Sequence, residues 1–438
     1  PYMWSLYDYI WENSLPAFLI KIKLLPKTDC GGKWGDMFYS RPYWSLDRVK
    51  HAYAKLPGYV ERNFDEDVGI EVCYQGQGVV TPLNLKSALI GGQSMWCFSQ
   101  SLKKHLAKLP GFKKSQSKRL QELAAIDLDA LSTSERKTFF RDFIEKEYFH
   151  SESCYFEHIF HTSIAMSLFK DFYRKTKSPV IFIDLVSGLQ NVSHLKLNNT
   201  IWDLSRDLRE DTESRAYWVK NSVETLLSHW QQSRTDYGID HAADLIRDFK
   251  YHSMRELDIR VPRFGEDPRF LLKSIKENIE LSDQFNPHNL NDEQHDQYQS
   301  SVQLFYEHLP VFYRAKGKRL LARLRHILWW REELRDLSTQ YYYHVRRITL
   351  SLSEYLIKQQ IISTPDDMFF LTKDDLIGVI NKKLSSSDAR MRMSTNKAYY
   401  MSFRNFENPN EIGCRFTEMA RTTASDTHAI TGIACSPG

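Results

Sequence analysis

The chain has 438 residues, 42% hydrophobic and 26% charged, which allows one large helical domain or two to three smaller ones of ordinary globular composition. A formal net charge of +4 gives no case for nucleic acid as a partner, and the absence of any apolar run of about 18 residues gives none for a membrane span. Cys30, Cys73, Cys97, Cys154, Cys414 and Cys435 form no CxxC pair, and Pro1-Tyr2-Met3-Trp4 lacks the charged start of a signal peptide, so reduced thiols and a cytoplasmic location are expected.

The first 30 residues, rich in Trp, Tyr, Leu and Ile around Pro16 and Pro26, read as a segment that covers another surface. From Trp34 to Val80 short strand-like runs mix with turns. Val68 to Tyr74 alternates apolar and polar, Gly76 and Gly78 follow as a turn, and Leu56-Pro57-Gly58 stops a helix. From about Leu83 the pattern is helical, with apolar residues at three- and four-residue spacings through Leu120 to Leu131, Phe139 to Phe149 and Ile159 to Phe172. Glu210 to Trp230 and His241 to Lys250 read as two further helices.

Leu245, Ile246 and Phe249 share a helical face that runs into Pro262, Gly265 and Pro268, which break the helix. Between them sit His252, Arg255, Glu256, Asp258, Arg260, Arg263, Glu266 and Asp267. Alternating charges beside Pro and Gly predict a loop fixed by ion pairs, and such a loop is a good mount for a site. Phe285 to Gln299 is polar and reads as an exposed loop or the start of a surface helix. Val302 to Leu356 then predicts a long helical hairpin with its turn at Gly317 and a basic amphipathic face at Lys318 to Arg325. Asp374-Asp375-Leu376 begins another helix by capping, and Asn408-Pro409-Asn410 is a turn.

Taken in order, these stretches resemble the phosphoenolpyruvate synthase-like phosphotransferases, above all the rifampicin phosphotransferase group. His252 and Glu256 stand at the His and Glu of the family's Gly-His-Arg-x-x-x-Glu, with Tyr251 in place of the Gly and Ser253 in place of the Arg. Pro262-Arg263-Phe264 and Glu266-Asp267-Pro268 match its Pro-Arg-aromatic and Glu-Asp-Pro, and Arg331, Glu332 and Arg335 match its Arg-Glu-x-x-Arg. Pro365 to Leu371 resembles its Pro-x-Asp-Ile-Phe-Phe-Leu, a helix leaving through a turn into a short strand. Gly432 to Gly438 resembles the lead-in to its swivelling phosphohistidine domain. Both ends read as cuts in something longer.

The resemblance implies a mainly α fold: a large helical acceptor-binding domain at 83–395, a connecting segment with a small mixed α/β element at 1–82, and a linker into the swivelling domain at 396–438. It also implies an ATP-dependent, dikinase-type phosphotransferase. ATP and Mg2+ are bound by a domain outside the chain, and a histidine of the swivelling domain takes the β-phosphate with release of AMP and phosphate. The helical domain then presents an acceptor hydroxyl. Aromatic residues at 13% fit an acceptor with an apolar body. The partners are therefore that small molecule and the two other domains, and the chain alone is not active. The Tyr251 and Ser253 departures leave a non-catalytic helical binding domain as the alternative.

The residues that the acceptor would meet are His252, Glu256, Arg331, Glu332, Arg335, Tyr342 and Arg346. Paired His and Glu suit acid-base work and arginines suit phosphate or carboxylate, although both sets also serve as structural ion pairs. His150, Cys154, Glu157, His158 and His161 form a second constellation, gathered within roughly a third of a helical turn. Its residue types are metal ligands. At about 1.5 Å per residue, however, the group spans roughly 16 Å, so one ion could take only two neighbours and another helix would have to supply the rest. No metal is expected. His150, His158 and His161 are carried as a strip facing a ligand pocket, beside a plain helix-interface reading. No Walker-type loop and no G-x-S-x-G elbow is present.

Overall fold

The computed structural model describes residues 2–70, 72 and 74–413, so the Gly432 to Gly438 lead-in lies outside the described residues, as do Glu71 and Cys73 of the alternating run. Two units divide the chain. One runs to Ser45 and from Gly92 to Phe406; the other holds Leu46–Gly91 and the described residues from Glu407 onward. The fold is mainly α with a two-stranded hairpin near the N-terminus. No helix among the described residues is long and apolar enough to cross a membrane.

Helix α1 (Tyr2–Lys21) turns Tyr2, Leu6, Ile10, Leu15, Phe18 and Leu19 inward. The hairpin follows, with β1 (Gly35–Phe38) antiparallel to β2 (Arg41–Trp44) and Gly35 opposite Trp44. In the smaller unit, α2 (Leu46–Tyr53) and α3 (Glu61–Val68) are tied by Lys50, whose Nζ reaches the buried carboxylates of Glu61 at 3.2 Å and Asp65 at 2.6 Å. Val68 therefore ends a helix, at a left-handed Gly69, and does not begin a strand.

The larger unit is built on α4 (Leu85–Ala125) from Gly92 onward, α5 (Thr133–Asp142), a π-helical turn over Phe143–Tyr148, and α6 (Phe149–Thr176). The helices α7 (Phe182–Val186), α8 (Ser193–Glu210), α9 (Thr212–Lys220), α10 (Val223–Gln231), α11 (Ile239–Asp248) and α12 (Arg269–Ile279) follow. Of these, α8 to α12 close around a core of their own, with Trp218, Leu226, Ile239, Ala242, Leu271 and Ile275 at its centre. Then come α13 (Pro287–His308), α14 (Val311–Leu350), α15 (Ser353–Lys358), α16 (Lys373–Ile380) and α17 (Ser386–Ser402). The main core joins α1, α4, α6, the second half of α14 and the Met368–Leu371 stretch.

Several expectations are corrected by local chemistry. Glu210 to Trp230 is two helices, because Ser222 accepts from Thr225 N at 3.1 Å and starts α10 anew. The hairpin turn lies at Leu309-Pro310, with Pro310 capping α14, and Gly317 is inside that helix. There a Cβ would meet Leu309 Cδ1 at 2.6 Å and Phe172 at 3.2 Å, so the glycine serves close packing. Pro365–Phe370 is a 3₁₀ turn in place of a helix-to-strand passage, since Asp367 accepts from Ser363 N and Thr364 N and closes a turn that no neighbouring strand extends among the described residues. Residues 252–256 form a turn, so His252 and Glu256 do not share a helical face. Helix α16 does start by capping, with Thr372 and Asp375 bonding reciprocally.

The Ser187-Gly188 turn is held by Arg325, whose guanidinium donates to the carbonyls of Leu185, Ser187 and Gly188. Gly188 has φ +61°, and an added Cβ would lie 2.5 Å from the Gln294 carbonyl oxygen. Gly188→Ala is expected to destabilise the fold by about 1–3 kcal/mol in urea unfolding. Gly111→Ala, in α4 with nothing within 4 Å of its Cβ, is expected to stabilise by about 0.5–1 kcal/mol.

Candidate functional site

The loop between α11 and α12 is folded back on itself by its own backbone. Phe264 N donates to His252 O at 2.8 Å and Gly265 N to Lys250 O at 3.1 Å. Two arginines lock it. Arg263 is fully buried and donates from Nη1 to Ser253 Oγ at 2.9 Å and to Glu256 O at 3.0 Å. Arg346, on α14, pairs with Glu266 at 2.8 Å and donates to the carbonyls of Ile259 at 2.8 Å and Arg260 at 3.2 Å. Burial, with Arg346 nearby, lowers the Arg263 guanidinium to about 10. Both residues that depart from the family pattern are committed to this frame. Ser253 receives Arg263, and Tyr251 donates to Asp336 Oδ1 at 2.9 Å while its ring lies 4.3 Å from that of His252.

Against this frame stands a row of alternating charge. His252 Nδ1 donates to Glu256 Oε1 at 2.6 Å, and Glu256 Oε2 lies 3.3 Å from Thr339 Oγ1 and 3.6 Å from Arg335 Nη2. Arg335 approaches Glu332 at 3.9 Å, and Glu332 takes Arg331 at 2.7 Å. Burial works to raise the Glu256 carboxyl, but the His252 hydrogen bond and the charges of His252 and Arg335 outweigh it and hold the group below the usual carboxylate range. Glu332 is buried, while the Arg331 and Arg335 side chains are 45% and 58% exposed. The row therefore offers solvent two half-exposed guanidiniums and, deeper in, an imidazole oriented by a carboxylate.

Five of the expected residues are thus brought together: His252, Glu256, Arg331, Glu332 and Arg335. The other five sit elsewhere. Arg346 clamps the loop, as above. Tyr342 is buried and donates to Glu152 Oε2 at 3.3 Å, with Tyr7 hydrogen-bonded to its hydroxyl. His158 and His161 lie buried between α4 and α6, and His150 is exposed with its ring 5.8 Å from that of Phe112.

The sequence reading did not single out Glu152. It is fully buried, and Tyr148 precedes it by one turn at the end of the π-helical segment, a widened turn of the kind that concentrates at functional sites. Burial lifts its carboxyl to about 7 against the hydrogen bond from Tyr342, which favours ionisation. Glu152 Oε1 and the Tyr148 hydroxyl have no hydrogen-bond partner among the described residues. The signal was present in the sequence as an acid at helical spacing among Tyr148, Tyr155 and Phe156. An open groove of about 540 Å³ lined by Ile126, Leu131, Ser134, Glu135, Thr138, Phe139 and Asp142 shares no residue with the charged row.

Glu152 makes stability depend on pH. Its folded pKa of about 7 stands above the unfolded 4.5, so the folded state binds the extra proton between these values. Its contribution is fully present below about pH 4.5 and is lost as pH rises through 7. Glu152→Gln, neutral throughout, is expected to gain about 1–3 kcal/mol relative to the unsubstituted protein between pH 5 and pH 8 in urea unfolding. A difference that does not change with pH would show that Glu152 titrates normally.

Compared with known proteins, residues 150–332 match the family model for the rifampicin phosphotransferase fourth domain. The matched segment runs from the start of α6 into α14 and contains the whole 249–272 stretch, together with Arg331 and Glu332. Arg335, Tyr342, Arg346 and Pro365–Leu371 lie beyond it. No curated protein matches the chain.

Proposed function

We propose that this segment, as a rifampicin phosphotransferase fourth-domain relative of the dikinase type, holds the hydroxylated acceptor of an ATP-dependent phosphotransferase. The acceptor would lie against the His252–Glu256–Arg335 row. The observation that carries the reading is the pairing of His252 Nδ1 with Glu256 at 2.6 Å within the 150–332 segment that matches this family, backed by Arg335 at 3.6 Å from beyond that segment.

With Nδ1–H committed to Glu256, Nε2 is the nitrogen left for a substrate hydroxyl. As the hydroxyl oxygen bonds to phosphorus and the phosphorus–nitrogen bond of the donor histidine breaks, the hydroxyl proton passes to His252 Nε2. Glu256 steadies the imidazolium that results. Arg331 and Arg335 carry the spread charge of the phosphoryl oxygens, and most of the rate comes from placing one hydroxyl in line. ATP and Mg2+ belong to a nucleotide-binding domain elsewhere in the protein.

The test uses the protein that carries this chain together with its nucleotide-binding and phosphohistidine domains. Incubated with ATP, Mg2+ and a panel of hydroxylated apolar compounds, it is expected to release AMP and phosphate and to phosphorylate one compound. His252→Ala should lower turnover by about 10²–10⁴-fold with little change in acceptor affinity. Transfer that survives His252→Ala unchanged would remove His252 from this role.

A second reading, a non-catalytic helical binding domain, is favoured by Tyr251 and Ser253, which stand at departures from the family pattern and bond within the loop frame. It predicts acceptor binding with no AMP under any condition.

A further inference from the structure

Helix α4 brings to α6 the ligand that the sequence spacing lacked. His105 is 1% exposed and meets the strip on α6, so that His105, Glu157 and His161 each offer a ligand atom within 4.8 Å of the others. The hydrogen bonds around them decide which nitrogens carry protons. His158 Nε2 lies 2.8 Å from the Ile327 carbonyl oxygen, which can only accept, so Nε2 is the protonated nitrogen and Nδ1 is left with its lone pair. His105 Nε2, 3.2 Å from that Nδ1, must then donate to it. His105 Nδ1 is left with a lone pair in the buried space, without a hydrogen-bond partner among the described residues and 3.5 Å from Glu157 Oε2. His161 resolves the same way: Nδ1 donates to the Glu157 carbonyl at 2.8 Å, leaving the lone pair on Nε2.

We propose that His105, Glu157 and His161 form a binding site for a borderline divalent transition-metal ion, Zn2+ or a chemically similar ion, that staples α4 to α6. Two imidazole lone pairs and a carboxylate are the donor set such ions prefer. Each ligating imidazole is already oriented through its other nitrogen, His105 by His158 and His161 by a backbone carbonyl, which is the supporting arrangement that metal-bound histidines require. A tetrahedral ion holds its ligand atoms about 3.3 Å apart; His105 Nδ1 and Glu157 Oε2 already lie 3.5 Å apart, and all three ligand atoms lie within 4.8 Å of one another. Phe18 and Phe98 flank His161, with ring centroids 4.9 and 5.7 Å away, which leaves the Glu157 side open to solvent for a fourth ligand.

Three groups compete with the ion. Lys21 Nζ and Lys108 Nζ reach the Glu157 carboxylate at 2.6 and 3.1 Å, and Ser101 Oγ lies 3.0 Å from His161 Nε2. Both lysine side chains are about half exposed, at 49% and 47%, and can swing to water. The serine hydroxyl can turn to the carbonyl one helical turn back. The lysines therefore set the affinity, and their removal should strengthen binding.

The test takes tag-free chain stripped with chelator and titrates it with Co2+ by absorption and with Zn2+ by calorimetry. One Co2+ per chain is expected, with visible ligand-field bands that Zn2+ removes. His105→Gln and Glu157→Gln should each weaken binding at least about 10-fold, and the Lys21→Met/Lys108→Met double variant should tighten it. Glu157 is partly exposed, so its variant keeps the test meaningful if His105→Gln misfolds. No saturable site in the unsubstituted chain, or one that survives Glu157→Gln and is indifferent to the lysines, would overturn the proposal.

Discussion

The second half of α14 is buried on nearly every face, and it carries Glu332, Glu333, Thr339, Arg346 and Thr349 into that interior. Buried polar groups left without partners cost more than their partnered forms contribute, so the neighbouring segments are arranged around their needs. Glu333 takes the Ser193 amide at 2.8 Å and its hydroxyl at 2.9 Å, which pins the start of α8, and it pairs with Lys113 of α4. Thr349 takes the hydroxyl of Tyr2 at 2.7 Å, which pins the start of α1. Arg346 draws in the 259–266 loop. One helix thus fixes the approach of three others and of the loop that carries the charged row.

This arrangement explains why the candidate site lies on the exposed face of α14 near its midpoint and not in the buried half that follows. Where Arg331 and Arg335 reach solvent, the same helix presents charge that a ligand can use. About two turns beyond Arg335, Tyr342 is sealed with Tyr7 and Glu152, and burial raises the carboxyl there to about 7. The row is mounted on a rigid helix and on a loop clamped by two arginines, which suits a site that must place a hydroxyl within tight limits.

Periodicity gave the helical class and the ion-paired nature of the 249–268 loop, because alternating charges beside Pro and Gly leave the chain few other uses. The pairing of His252 with Glu256 was also legible from their types and nearness, although a turn and not a helix joins them. Boundaries were legible only where a cap could be seen. Thr372 to Asp375 was such a place, whereas the Ser222 cap inside an unbroken apolar pattern was not. Gly317 looked like a turn because its packing partners, Leu309 and Phe172, come from the preceding segment and from α6. His105 stayed hidden for the same reason. Nothing near it in the chain marks it, and only the packing of α4 on α6 brings it to His158 and Glu157. Long-range packing also separated Tyr342 and Arg346 from the row, which their positions on one helix could not show.

Under the proposed function, the acceptor sits against the face made by the loop and the Arg331–Thr339 stretch of α14. Amide hydrogen exchange with and without a phosphorylatable acceptor tests it most directly, because ligand contact slows exchange in the segments it holds. The account predicts new protection confined to 249–266 and to the adjoining turns of α14. Protection that appears instead along Ile126 to Asp142, with the loop unchanged, would place the acceptor in the α5 groove and contradict the account.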